Sequence, residues 1–287
     1  MQGTLYLALR TLYFMTLGIR YMLLSIVSFS LMHLCVKAIP DIPVTQTILL
    51  RSVFSIVFCL IAIKQANVAS WGNNKPFLIL RGLVGMLSLI CFFYSIQMLP
   101  LGTAVTIGNL VPFFTLFLAF LFLKEKIPHL KWVFFAISFL GVFLMKGLDK
   151  DLSTPGIILG LLAALFTATA HFVVRKLRDT DATSVIMFYF PFITIPFMLP
   201  FAIQQWKVPD NREWLFLLLI GITTHVGQLF LTKAYKYEEV KNISYVYYLG
   251  IVLSFVYGII FFGEFISWKS SVGVGLVILG MILNMLV

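Results

Sequence analysis

The sequence predicts an all-α integral membrane protein of ten transmembrane helices, arranged as two inverted five-helix repeats with both termini in the cytoplasm. Three observations predict it. First, 61% of the 287 residues are hydrophobic and only 11% are charged; a water-facing surface needs far more charge than that. Second, the apolar residues fall into runs long enough to cross a bilayer. Third, the second half of the chain repeats the first, with the same acids, histidines and glycines at matching places.

Cutting the chain at charged and turn-forming clusters gives spans at roughly 20–39, 43–63, 76–98, 102–123, 129–147, 155–176, 183–204, 213–235, 241–262 and 267–286. Each is a near-continuous apolar run rather than the polar–apolar alternation of a barrel strand. The chain divides into an N-terminal cytoplasmic or interfacial segment (1–19), a first repeat (20–150) and a second, inverted repeat (151–287). The N-terminal segment is broken by Arg10 and has no small-residue cleavage site, so it does not read as a signal peptide. Residues 1–14 read equally as an extension upstream of a start at Met15.

Charge sets the orientation. With the N-terminus inside, the outer ends hold only Lys37, Lys146, Lys150, Lys207, Arg212 and Lys269, while the inner ends hold most of the remaining cations, Arg81 among them. Arg51 lies within a span, too deep to reach the surface easily; it needs a carbonyl, a carboxylate or a ligand anion. The net charge of +10 is scattered between apolar runs and forms no basic stripe, so no nucleic-acid partner is expected. Cys35, Cys59 and Cys91 are dispersed in apolar runs and read as buried free thiols, not a disulfide or zinc set.

The repeat is legible residue by residue. Phe122, Glu125 and Ile127 return at one constant displacement as Phe261, Glu264 and Ile266; Val133, Leu140, Gly141 and Leu144 return as Val272, Leu279, Gly280 and Leu283. With one residue of slip, His33, Val36, Asp41, Thr45 and Ile48 return as His171, Val174, Asp179, Thr183 and Ile186, and Lys37 as Arg175. An odd number of spans per copy turns the second copy over in the bilayer, a construction that suits alternating access around a midplane site. Glu125 and Glu264 end equivalent spans; as water-facing carboxylates they would cap or anchor the span that follows, and as functional groups they would couple transport to protons.

Residues Arg81–Ile127 (RGLVGMLSLICFFYSIQMLPLGTAVTIGNLVPFFTLFLAFLFLKEKI), Leu50–Phe54 (LRSVF) and Tyr257–Trp268 (YGIIFFGEFISW) resemble the EamA-type family of the drug/metabolite transporter superfamily. The resemblance covers about residues 20–286. It implies a basket-shaped transporter with a cavity lined by spans 1, 3, 4, 6, 8 and 9, and with spans 5 and 10 at the back. The chain departs from symmetry at Pro112, which has Ile251 opposite it, so a proline bend belongs to one half only. The stretch from Arg81 to Pro100 is also similar to members that take up S-adenosylmethionine.

Polar residues inside spans must face protein or water. Thr103, Thr106 and Asn109 share one face of span 4, and their counterparts Asn242, Tyr245 and Tyr248 share the same face of span 9. Span 8 carries His225 and Gln228 one turn apart, and Tyr94 lies centrally in span 3. The expected substrate-binding set is Tyr94, Thr106, Asn109, His225, Gln228, Tyr245, Tyr248 and Arg51. His33 with Lys37, and His171 with Arg175, lie near opposite faces and are the expected gates; as helix-end groups they would merely snorkel. Pro191, Pro196 and Pro200 are expected to break span 7. Gly141, Gly280, Gly273 and Gly275 permit close approach in spans 5 and 10, between the halves or at a homodimer seam.

No P-loop for ATP appears, and every Asp and Glu lies at a span end or in a loop. A carrier of lipophilic cations wants a buried carboxylate, so the expected cargo is a zwitterionic or anionic metabolite: an amino acid, a nucleotide-like compound such as S-adenosylmethionine, or an organic acid. Export of drugs or lipophilic compounds is the alternative within the superfamily. A lipid-modifying membrane enzyme would have to be built from His33, His171 and His225, which are scattered without HExxH spacing; no enzyme activity, cofactor or metal is expected. A receptor or scaffold would need a domain that the short loops leave no room for. The expected location is a cell membrane, the bacterial inner membrane, with lipid as the surrounding partner.

Overall fold

The computed structural model describes residues 16–286 apart from 69–70, 124–127, 149–150, 178–179, 238–245, 247 and 266. The expected N-terminal segment therefore lies outside the described residues up to position 15. Every described element is a helix: α1 (Leu17–Lys37), α2 (Val44–Ala66), α3 (Lys75–Met98), α4 (Leu101–Gly108), α5 (Val111–Leu118), α6 (His129–Leu148), α7 (Thr154–Leu177), α8 (Thr183–Gln204), α9 (Asn211–Tyr237), α10 (Leu249–Phe262) and α11 (Trp268–Leu286). Span 4 is α4 and α5 in series, with one π turn over Ala119–Leu123. Eight of these segments are long and apolar enough to cross a membrane, and two shorter apolar helices, Leu249–Phe262 and Ser270–Asn284, accompany them.

Local chemistry explains the ends. Thr16 caps α1, its hydroxyl accepting from the Ile19 amide at 3.4 Å. Pro76 and Pro112 stand in the first turns of α3 and α5, where their missing N–H would have no partner anyway. Asn67 ends α2 in the left-handed region (φ 49°), and Gly263 ends α10 likewise (φ 62°). Asp210 and Glu213 form a reciprocal cap on α9: the Asp210 amide donates to Glu213 Oε2 at 2.8 Å and the Glu213 amide to Asp210 Oδ1 at 2.6 Å.

Two sequence expectations need correction. α8 runs unbroken from Thr183 to Gln204 through Pro191, Pro196 and Pro200. Membrane helices tolerate proline because neighbours support the freed backbone, and α8 packs along both α2 and α3. Gly275 makes no close approach, since nothing lies within 4 Å of where its side chain would stand.

Most of the larger helix contacts come in pairs under exchange of the two halves. α1 packs on α9 as α7 packs on α3; α2 on α9 as α8 on α3; α1 on α10 as α7 on α5. α2 with α8 and α6 with α11 pair across the pseudo-axis itself, and spans 4 and 9 meet through α4 and α10. Single bonds obey the same rule. The Ser25 hydroxyl donates to the Gly227 carbonyl at 2.9 Å, and the Ser88 hydroxyl to the Ala163 carbonyl at 3.1 Å; the sequence repeat exchanges these four positions. At the back, a side chain on Gly141 would meet the Gly273 carbonyl and Val277, while one on Gly280 would meet the Phe134 carbonyl and Ser138. Here too the repeat exchanges every partner. The break in span 4 also has a counterpart: α5 starts at Val111 and α10 at Leu249, adjacent to the equivalent position. Proline supplies the discontinuity in the first half. In the second, the Ile251 amide, opposite Pro112, donates to the Tyr248 carbonyl at 3.0 Å in a tightened turn.

The paired helices α2 and α8 are tied at both ends. At one end Gln46 exchanges two hydrogen bonds with the backbone of Lys207, at 2.8 and 3.1 Å. At the other, the buried Asp181 carboxylate accepts from the amides of Asn73 and Asn74 and from the Thr180 hydroxyl, while the Tyr189 hydroxyl donates to the Trp71 carbonyl at 2.8 Å. Asp181→Asn replaces an acceptor-only group by one that presents N–H to backbone N–H. A loss of about 1–3 kcal/mol is expected, read as a lower unfolding temperature in detergent with the cavity unchanged.

Candidate functional site

α2 is apolar toward lipid but buries Gln46, Thr47, Arg51 and Ser52. Arg51 is 7% exposed, and a cation in mid-span costs about 2.5–3.5 kcal/mol unless it finds polar company. That cost turns this face of α2 inward. There Arg51 Nε donates to the Thr224 hydroxyl of α9 at 3.1 Å.

A cavity of about 100 Å³ opens beside this contact, lined by Arg51, Ser55, Cys59, Arg81, Met187, Phe190, Pro191, Thr224, His225 and Gln228. Its walls are α2, α3, α8 and α9, two pairs that the repeat exchanges, so it straddles the pseudo-axis. Phe190 is the centre of its charge distribution. The guanidinium carbon of Arg51 stands 5.3 Å from the ring centroid and that of Arg81 5.9 Å. Arg51 Nη1 and Arg81 Nε are buried and make no hydrogen bond to the described residues. None of the lining residues is Asp or Glu. The ring of His225 stacks on Phe58 at 4.1 Å, with planes 20° apart, which fixes its orientation at the wall. A second cavity of about 10 Å³, lined by Phe113, Leu116, Phe117, Lys131, Trp132 and Phe135, is too small for a solute.

The sequence expectations distribute as follows. Arg51, His225 and Gln228 come together at the cavity. Tyr94, Thr106, Asn109 and Tyr248 are not among its lining residues. The Thr106 hydroxyl donates to the Gly102 carbonyl at 2.7 Å and the Asn109 amide side chain to the Val105 carbonyl at 2.8 Å, each one turn back in its own helix. The Tyr248 hydroxyl points to the Met281 carbonyl of α11 at 3.5 Å, and Tyr94 packs on the main core. Tyr245 lies outside the described residues. The lining also differs from the one the resemblance implied: spans 3 and 8 contribute, as expected, but spans 2 and 7 replace spans 1, 4, 6 and 9. The buried arginine of α2 and the Phe190 ring of α8 are the reason.

Arg81, Phe190, Ser55 and Thr224 were not expected at the site. Counting Arg81 as a surface cation is corrected by its place in the cavity wall. A signal for it did exist: Pro76 marks the first turn of α3, so Arg81 lies more than a turn inside the span. Phe190 and Thr224 carry no local signal, because their role comes from helices far apart in the chain.

A second polar cluster lies where α1, α3, α4 and α10 meet. Lys37 Nζ pairs with Glu264 Oε1 at 2.8 Å and donates to the carbonyls of Ile96 and Leu99. Glu264 Oε2 accepts from the Leu101 amide at 2.7 Å, at the N-terminus of α4, where a negative charge is favoured. Glu264 is therefore not a water-facing anchor for the helix that follows it; it joins its own half to the other. Its repeat partner Glu125 lies outside the described residues, as do Asp179 and the side chain of Arg175. His33 is partly buried and meets the edge of Phe92 at 5.1 Å, whereas His171 is exposed on α7. Cys35, Cys59 and Cys91 are free and buried. No group of three or more His, Cys, Asp or Glu converges to hold a metal among the described residues.

Known proteins match this architecture. The chain matches the EamA-like transporter family twice, over residues 16–147 and 154–286, which are the two halves that the contacts exchange. It is 31% identical over 250 residues to the pseudopaline exporter CntI of Pseudomonas aeruginosa, covering 86% of this chain and 88% of that one. It is 28% identical to the S-adenosylmethionine uptake transporter of Rickettsia prowazekii, covering 89% and 87%, and 28% identical to human solute carrier family 35 member G1, covering 90% and 75%. A solved protein crystal structure shares the fold with a TM-score of 0.67 at 15% identity, over 94% of this chain and 96% of the other. Two matched repeats, their apolar helices and these relatives give one conclusion: this multi-pass membrane protein is a member of the EamA-like transporter family, within the drug/metabolite transporter superfamily.

Proposed function

We propose that the chain is a secondary transporter of the bacterial inner membrane that moves a small polar metabolite, zwitterionic or anionic, by alternating access. It does so through ten crossings with both termini in the cytoplasm. The observation that carries the reading is the polar cavity on the pseudo-axis, with a buried Arg51, a half-buried Arg81 and no carboxylate in its wall. Such a wall repels a lipophilic cation and attracts a carboxylate or phosphate. Ser55, His225 and Gln228 offer neutral donors and acceptors to orient the rest of the solute.

The Lys37–Glu264 cluster is the proposed latch of the outer face. It ties α10 to the α3–α4 junction and to the end of α1, so that face opens only when the pair parts. Sequence equivalence gives the opposite latch to Arg175 and Glu125. Relatives named as an exporter and as an uptake transporter suit a scaffold whose net direction follows the gradient of its cargo.

The test is transport by purified protein in proteoliposomes, with labelled amino acids, organic acids, S-adenosylmethionine and a hydrophobic cation. Movement of an anion or zwitterion is expected, reduced at least about tenfold in His225→Ala, which removes a donor and acceptor from the cavity wall. Movement of the hydrophobic cation alone would overturn the reading in favour of drug export.

A further inference from the structure

The charge at the cavity is more specific than a general preference for anions. Two guanidiniums contact one phenyl ring, at 5.3 and 5.9 Å from its centroid. Contact with the Phe190 ring engages the guanidinium carbons and leaves N–H donors for other partners. Each arginine keeps a buried nitrogen without a partner among the described residues, Nη1 on Arg51 and Nε on Arg81. One oxyanion would satisfy one fork and leave the second cation uncompensated.

We propose that Arg51 and Arg81 form a two-point seat for a short-chain organic diacid, each guanidinium taking one carboxylate of the same solute. A diacid cancels both charges and supplies acceptors to both sets of idle donors. A cavity of about 100 Å³, room for about three waters, restricts the diacid to a short chain. Gly85 keeps the seat open: a side chain there would meet Arg81 Nη1 and stand 2.8 Å from Cδ2 of Phe190. Phe190 acts as a positioning residue that spaces the two forks. The seat rests on the transporter reading, because it is the cargo site of that cavity.

The experiment uses full-length protein in nanodiscs of neutral phosphatidylcholine. Thermal unfolding is followed with the dicarboxylates from malonate to adipate, the monoamide of each, and sulfate, at one ionic strength. At least one diacid should raise the unfolding temperature by several degrees, with an apparent affinity at least about tenfold above that of its own monoamide. Arg51→Gln and Arg81→Gln should each bring the diacid down to the monoamide's level, and Gly85→Val should abolish the shift. Equal response to diacid and monoamide, no response to any diacid, an equal response to sulfate, or a diacid preference that survives Arg81→Gln would each overturn the seat. Should the variants not fold, the wild-type comparison of diacid with monoamide still decides. Proteoliposome flux separates the two readings. A stabilising diacid that never crosses sinks transport and leaves the seat. Flux of another solute that ignores Arg81→Gln sinks the seat and leaves transport.

Discussion

Gly280→Leu is expected to yield no folded protein, or one destabilised by about 3–5 kcal/mol, while Gly275→Leu in the same helix is tolerated. The ideal side chain at 280 would stand 2.7 Å from the Phe134 carbonyl and against Ser138, which is backbone and short side chain with nowhere to move. Overpacking of a flexible core costs about 1–3 kcal/mol; a collision with helix backbone forces α6 and α11 apart and adds to it. At Gly275 nothing lies within 4 Å, and added apolar area faces lipid. Gly141→Leu should repeat the Gly280 result, since it would stand 2.6 Å from the Gly273 carbonyl. Unfolding temperature in detergent and yield of monodisperse protein are the readouts. Equal tolerance at positions 280 and 275 would mean that α6 and α11 do not pair across the pseudo-axis as described.

The second large effect is at Glu264. Its side chain is 17% exposed and that of Lys37 15%, so the pair is shielded enough for removal of one partner to cost about 3 kcal/mol, roughly a hundredfold in a two-state equilibrium. Glu264→Gln keeps an acceptor for the Leu101 amide but strands the Lys37 charge. With the pair as the proposed latch, the closed state of this face is expected to lose that much population, so a cysteine introduced beside Leu101 should react far faster with a water-soluble maleimide. The exchange Lys37→Glu with Glu264→Lys should restore part of the closure only, because a lysine cannot accept from the α4 amide. Unchanged labelling in Glu264→Gln would remove the pair from any gating role.

Much of the architecture was legible in the chain. The equivalence of Gly141 with Gly280 was visible as a sequence echo, and the structure sets both in the same contact from opposite sides. His225 and Gln228 were legible as a polar pair one turn apart, and Arg51 as a charge too deep for water. The stripe from Thr103 to Asn109 was equally visible, yet Thr106 and Asn109 satisfy carbonyls of their own helix. Helical spacing reports which residues share a face; it does not report whether that face meets a cavity or the preceding turn. Arg81 was misassigned for a related reason: nearness to a span end allows snorkelling, but the direction of the side chain depends on which helix stands beside it.

By itself the sequence determined the solvent, the length of the helices and the doubling of the unit. Those are properties of runs along the chain and of the chain compared with itself. Tertiary structure alone decided which charges meet. Lys37 reaches Glu264, and Arg51 reaches Thr224 and Phe190, across most of the polypeptide. In a lipid-like interior a charge is settled by whatever partner the helix packing delivers to it, and packing angle and rotation are written in no local stretch of residues.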